Sequence, residues 1–331
     1  MDFVGLMKAK ARASQKALVL PEGTDARTLK AARIIVDEGL AGSVTLVADL
    51  EELTGLAERE GISLEGIGHV FPQASGNRDR YAEEYFMLRK NKGITEERAR
   101  TDSAAPLCWG AMMVRLGNAD AMVAGAANTT GDVLRAGLSV IGIVPGLKTV
   151  SSCFVMDGLD PKWGRGGTMI FSDCAVVPDP TAEQLADIAE GAAKSCRSLL
   201  GVEPVVALLS FSTKGSAQHR NVDKVVEAAG ILRDRKCGFE FDGELQLDAA
   251  LVPSVTDQKA PGSPVRGRVN TLVFPDLGSG NIGYKLVQRL ADARAFGPFL
   301  QGFAKPISDL SRGASVEDIV STAAVTLAQV P

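Results

Sequence analysis

The sequence predicts an α/β protein made of two α/β domains, with mainly parallel sheets flanked by helices. Apolar runs of strand length alternate with stretches of helical period through most of the chain, which is the pattern of βαβ units. A length of 331 residues fits about two domains at roughly 150 residues each. After Pro145-Gly146 two β-rich runs follow one another across a Pro- and Gly-containing turn, which marks a change of domain.

Taken in order, ALVLPEG (17–23) reads as a buried strand and DARTLKAARIIVDEGL (25–40) as the helix behind it. VTLVAD (44–49) and AMVAGAA (121–127) repeat the pattern, each followed by a helix-forming stretch. KTVSSCFVMD (148–157) and TMIFSDCAVV (168–177), joined by DPKWGRGG, predict an antiparallel hairpin that opens the second domain. There PTAEQLADIAEGAAKSCRSLL (180–200) reads as a helix, and VVALLSFST (205–213), NTLVFPDL (270–277) and FGPFLQGFAK (296–305) as strands. In the final helix Val316, Ile319, Val320, Ala323 and Leu327 share one face, which is expected to pack on the first domain.

With 45% hydrophobic and 23% charged residues the chain sits near the globular average. A net charge of -4 provides no overall positive field to gather a nucleic-acid backbone, so any anionic substrate must be met by local arginines. No apolar run approaches membrane-spanning length. The N-terminal MDFVGLMKAKARASQK mixes charges into its apolar residues, unlike a signal peptide. Neither a nucleic acid nor a membrane is an expected partner. Five cysteines, at 108, 153, 174, 196 and 237, form no C-x-x-C pair and no zinc-like spacing, which points to the cytoplasm and to no metal. His69 and His219 are the only histidines, too few for a histidine-rich metal site and poor material for a Ser-His-Asp triad.

LGSGNIGYKLVQRL contains Gly278, Gly280 and Gly283, a G-x-G-x-x-G string between a predicted strand and helix. A dinucleotide site also needs an acidic residue at the end of the next strand, and FGPFLQGFAK offers none. Two readings remain for these glycines: a phosphate-facing loop at a helix N-terminus and a tight turn.

Seven separated segments resemble the phosphotransacetylase (phosphate acetyltransferase) family. They are LRKNKGIT (88–95), GAANTTGDVLRAGL (125–138), LSFSTKGSA (209–217), DGELQLDAA (242–250), KAPGSPVRGR (259–268), FPDLGSGNIGYKLVQR (274–289) and KPISDLSRGASVEDI (305–319). They stand in family order across nearly the whole chain, like the short single-module bacterial enzymes, and VLRAGLSVIG resembles the branch associated with ethanolamine use. The resemblance implies reversible transfer of an acetyl group between coenzyme A and inorganic phosphate. Acetyl phosphate and acetyl-CoA are then the acyl carriers. Coenzyme A is a co-substrate, no cofactor is permanently bound, the active site lies in a cleft between the domains, and two chains form a homodimer. It implies a first domain of residues 1–146 plus 300–331 and a second of 147–299.

By motif the resemblance carries the catalytic aspartate onto Asp318 and the S-R-G serine and arginine onto Ser311 and Arg312. Substrate and coenzyme contacts fall on Arg89, Arg135, Arg289, Asn128, Thr129, Thr130, Gly280, Asn281 and Lys285. Two positions depart from the pattern, since many relatives carry His in place of Asn128 and Cys in place of Ala314.

The chemistry is consistent with these residue types. Arginine's planar, permanent charge suits phosphate oxygens. The coenzyme thiol, with pKa about 8.5, must lose a proton as it attacks the acetyl carbonyl, and an ordinary aspartate at about 3.9 is a poor acceptor. Full transfer would be uphill by about 6 kcal/mol. Asp318 is therefore expected to be partly buried and to face the thiol, while Arg312 and Ser311 face the phosphate and the developing oxyanion. On residue pattern alone, Ser315 and Asp318 also spell a capping box for the last helix. A covalent acyl-enzyme on Cys153 or Cys174 is the rival mechanism, ranked below direct transfer in a ternary complex because both cysteines lie in apolar runs. Phosphate butyryltransferase activity, an acetyl-CoA-sensing regulatory role like that of the similar domain in some malic enzymes, and a nicotinamide dehydrogenase are the alternative functions.

Overall fold

A computed structural model describes residues 2–330. The chain opens with α1 (Phe3–Ser14) and β1 (Ala17–Leu20), then α2 (Ala26–Asp37), β2 (Ser43–Val47), α3 (Leu50–Glu60) and β3 (Ile67–Val70). Three helices follow, α4 (Arg78–Arg89), α5 (Glu96–Ser103) and α6 (Pro106–Arg115), before β4 (Ala121–Ala124) and α7 (Thr130–Ala136). Next come β5 (Ser151–Asp157), β6 (Met169–Ser172), α8 (Ala182–Ser195), β7 (Val205–Leu209), α9 (Arg220–Asp234) and β8 (Glu240–Leu245). The chain continues through α10 (Leu247–Leu251), α11 (Pro253–Lys259), β9 (Thr271–Val273), α12 (Leu277–Leu290) and β10 (Arg294–Gln301), and closes with β11 (Ile307–Asp309) and α13 (Val316–Ala328).

These elements gather into two compact units, one from the residues up to Pro145 together with those from Phe303 onward, the other Gly146–Gly302. In the first unit the strand order is β3-β2-β1-β4-β11, and every neighbouring pair is parallel. Its core joins Leu18 and Leu20 of β1, Leu29 and Ile35 of α2, and Ile319, Ala323 and Leu327 of α13. The last helix thus buries the face its periodicity predicts, with Val316 packed at the margin, and it lies on α1 and α2. β1 stands with β2 on one side and β4 on the other, so sheet growth reverses there. In doubly wound sheets ligands gather outside the carboxyl ends of strands at such a reversal.

In the second unit the order is β10-β5-β6-β9-β7-β8. β5 pairs antiparallel with both β10 and β6, and the remaining pairs are parallel. The hairpin expected at 148–157 and 168–177 is therefore present as β5 and β6. Here Phe154, Phe171, Leu209, Leu245 and Leu272 fill the core. α12 packs so closely that a Cβ at Gly280 would collide with the Asp173 carbonyl oxygen, and one at Gly283 would sit 2.9 Å from the Phe274 ring. No helix among the described residues is long and apolar enough to cross a membrane.

Candidate active site

Three strands of the first unit, β1, β4 and β11, lie side by side and end in three loops: Pro21–Asp25, Gly125–Thr129 and Leu310–Ala314. Glu22 binds the second loop to the first. Its Oε2 accepts from the N–H groups of Gly125 (2.9 Å) and Ala126 (2.8 Å), and its Oε1 from the N–H groups of Ala127 and Asn128 (both 2.9 Å) and from Asn128 Nδ2 (2.7 Å).

Arg27 binds all three loops. Its Nη1 donates to the carbonyls of Arg312 (2.8 Å) and Ala314 (3.0 Å), and its Nη2 to that of Ala126 (2.7 Å) and to Asp25 Oδ2 (2.8 Å). Burial alone would raise Asp25, but hydrogen bonds from the Arg27 guanidinium and from the N–H groups of Arg27 and Thr28 outweigh it and hold the carboxyl below its ordinary range.

Asp309, at the end of β11, accepts the Thr130 hydroxyl at 2.6 Å on Oδ2, while its Oδ1 has no hydrogen-bond partner. Burial pushes this carboxyl up to about 6. Gly125 lies against it: at φ +115°, a Cβ there would stand 2.6 Å from Asp309 Oδ1, so only glycine suits the position.

Beyond β11, Ser311 and Arg312 are exposed, and Ser311 Oγ accepts the Gly313 N–H at 3.2 Å. Asp318 is exposed rather than partly buried. As the third residue of α13 it belongs to a capping box: Oδ2 accepts from Ser315 N–H (2.9 Å) and Ser315 Oγ–H (2.8 Å), and Asp318 N–H donates to Ser315 Oγ (3.1 Å). The short S-x-x-D spacing keeps the carboxylate at the helix mouth, where solvent reaches it.

Two cavities open on the first two loops and share Asn128. One, of about 390 Å³, is lined by Tyr85, Arg98, Cys108, Asn128, Arg135 and Ser139 among others. Arg89, at the end of α4, is close enough to act electrostatically on Tyr85 and Cys108 of its wall. Each lining arginine is held by a nearby aspartate, Arg135 by Asp132 at 2.7 Å and Arg98 by Asp102 at 2.8 Å. The Thr129 hydroxyl, then Arg135, keeps Asp132 below the usual carboxylate range, and Thr129 also caps α7. The other cavity, of about 270 Å³, lies over the ends of β1 and β2 and is lined by Pro21, Glu22, Val47, Ala48, Phe71 and Asn128 among others.

Asn128, Thr129 and Thr130 thus stand at the start of α7 and Arg135 in its last turn, with Arg89 near the wall of the larger cavity. Ser311, Arg312 and Asp318 stand between β11 and the first turn of α13 and line neither cavity. Gly280, Asn281, Lys285 and Arg289 belong to α12 of the second unit. Asn281 Nδ2 donates to the Cys174 carbonyl at 3.1 Å, Lys285 lies 5.8 Å from the Tyr284 ring centroid, and Arg289 is exposed. Asp276 caps that helix by accepting from Ser279 N–H at 2.8 Å. Sequence reasoning missed Glu22, Arg27 and Asp309. The signal for the first two was PEGTDAR, polar residues directly after a strand at the point where sheet growth reverses. Burial pushes the Cys153 thiol up to about 12 and Cys174 well above its ordinary value, which leaves neither as a ready nucleophile.

A family model for phosphate acetyl/butaryl transferase matches residues 2–327. Among curated proteins, the phosphate acetyltransferase of Treponema pallidum is 59% identical over 332 residues, covering 99% of each chain. Among solved structures, a phosphotransacetylase from Streptococcus pyogenes superposes with a TM-score of 0.93 at 40% identity, covering 99% of this chain and 98% of that one. The EutD phosphotransacetylase from Staphylococcus aureus gives a TM-score of 0.90 at 38% identity with the same coverage.

Proposed function

The chain belongs to the phosphate acetyl/butaryl transferase family, and from that premise we propose how it carries out acetyl transfer. It is an acyltransferase that moves an acetyl group reversibly between acetyl phosphate and coenzyme A. The observation that carries this reading is the end-to-end match to phosphate acetyltransferases. The two compact units support a two-domain reading, expected at 1–146 plus 300–331 and 147–299, with the later boundary lying after β10 and Gly302.

In the proposed reaction the coenzyme sulfur attacks the acetyl carbonyl carbon and the carbon–oxygen bond to phosphate breaks. The thiol proton passes to Asp318 and leaves on the released hydrogen phosphate. The capping box engages Asp318 Oδ2, which leaves Oδ1 to take the proton. Because Asp318 is exposed in the chain alone, burial by the bound coenzyme supplies the offset that lets an acidic carboxylate serve a thiol, while Arg312 faces the phosphate rather than the carboxylate, whose proton affinity its charge would lower. Arg312 and Ser311 stabilise the phosphate and the oxyanion. Arg89 and Arg135, beside the larger cavity, hold coenzyme phosphates, with Asn128, Thr129 and Thr130 lining the approach. From the second domain Arg289, Lys285, Asn281 and Gly280 contribute substrate contacts. Transfer is direct, in a ternary complex, a reading supported by the buried state of Cys153 and Cys174.

The enzyme works as a homodimer in the cytoplasm without a resident cofactor. Ile282, Leu286 and Leu290, 61%, 51% and 82% exposed along one stripe of α12, support a second copy as partner, and the free thiols at all five cysteines support a reducing compartment. Thioester absorbance, with purified protein, coenzyme A and acetyl, propionyl or butyryl phosphate, tests the activity. Acetyl phosphate is expected to be the best donor. A preference for butyryl phosphate would make the chain a phosphate butyryltransferase, and no thioester from any donor would refute acyl transfer.

A further inference from the structure

The four consecutive N–H groups of Gly125–Asn128, running from the end of β4 toward α7, form the kind of concave donor set that elsewhere holds a phosphate. Here the protein's own carboxylate occupies it, and Glu22 is only 7% exposed. Those N–H groups are therefore already engaged when a phosphate arrives.

A second consequence falls on Asn128. Glu22 Oε1 already accepts from the N–H groups of Ala127 and Asn128, and the carboxamide atom 2.7 Å from it is the Nδ2 amine, which donates to the same oxygen. The other prong of the amide, Oδ1, is left as the group Asn128 can offer to a ligand, and it is an acceptor. Asn128 lines both cavities at this end of the sheet. Of the two substrates, dianionic acetyl phosphate carries only acceptor oxygens, whereas coenzyme A carries amide N–H groups along its pantetheine arm.

We propose that Glu22 is a positioning residue: it fills the loop's donor set and turns Asn128 so that Oδ1 accepts a hydrogen bond from an amide N–H of coenzyme A. The inference rests on the acetyl-transfer reading and adds to it which substrate Asn128 recognises. A glutamine at 22 would place an amine among donors and could itself donate to Asn128 Oδ1, reversing the carboxamide.

The test compares Glu22→Gln, Asn128→Ala and the double variant with the unsubstituted protein. Each single change is expected to raise KM for coenzyme A about tenfold, the effect of losing one well-made hydrogen bond, with KM for acetyl phosphate within about twofold of its starting value. The double variant is expected to match Asn128→Ala, because Glu22 acts on the coenzyme through Asn128. An equal rise in both KM values, no rise in either, or an additive double variant would overturn the proposal. Should Glu22→Gln fail to fold, the two KM values of Asn128→Ala decide by the same criterion. Calorimetric titration of coenzyme A into the same proteins gives the comparison without turnover, so a protein that binds the coenzyme but forms no thioester counts against the acetyl-transfer reading alone.

Discussion

Glu22 and Asp309 are both buried carboxylates at strand ends of one sheet, and they are partnered differently. Glu22 is supplied with donors from a whole loop, whereas Asp309 receives one hydroxyl and keeps an unpartnered oxygen. Burial therefore favours the protonated form of Asp309 and lifts it to about 6. Because its folded pKa lies above the unfolded value of about 3.9, the folded state binds the extra proton between about pH 4 and pH 6. Its contribution to stability is complete below about pH 4 and is lost as pH rises through about 6. Asp309→Asn, which carries no titrating proton, should gain on the parent by about 3 kcal/mol between pH 4 and pH 7. Urea unfolding of both proteins across that range measures it, and a difference independent of pH would refute the assignment.

At the scale of elements, the site depends on loops being fixed to one another. Arg27 reaches the carbonyls of Arg312, Ala314 and Ala126 at once, so Arg27→Ala should free the segment bearing Ser311 and Arg312. Turnover is expected to fall by about tenfold to a hundredfold, with the parent's circular dichroism retained, because a small displacement of catalytic groups is costly. Parent-like turnover would show that the clamp is dispensable. In α12, Gly280→Ala must displace either the helix or the Asp173 backbone. A loss of about 1–3 kcal/mol in urea unfolding is expected, and an unchanged midpoint would mean the contact yields freely. Strands β1, β2, β4, β5, β6, β7, β9 and β10 and helices such as α2, α8 and α13 were legible in the sequence because apolar runs and 3.6-residue periodicity are local signals, whereas the short or charge-interrupted β3, β8 and β11 and the helices α1 and α9 were not assigned. The Ser315–Asp318 box was legible too, its partners being three residues apart. Glu22 and Arg27 were not, since their partners lie 103 and 285 residues along the chain and become neighbours only through strand order. The glycines of LGSGNIG show the converse limit: a dinucleotide-like spelling serves close packing of a helix on backbone and ring.

The exposed stripe on α12 predicts a particle of twice the 34.7 kDa chain mass by light scattering, and Leu286→Asp should return it to single-chain mass. A parent that is already monomeric would remove the dimer. The central claim is that the segment from Ser311 to Asp318 moves the proton and the charge of acetyl transfer. Its most direct measurement is the turnover number of Asp318→Asn with coenzyme A and acetyl phosphate, alongside its calorimetric affinity for coenzyme A. A loss of about a thousandfold in turnover, with coenzyme affinity retained and the last helix still folded, is predicted; turnover close to that of the parent would contradict the account.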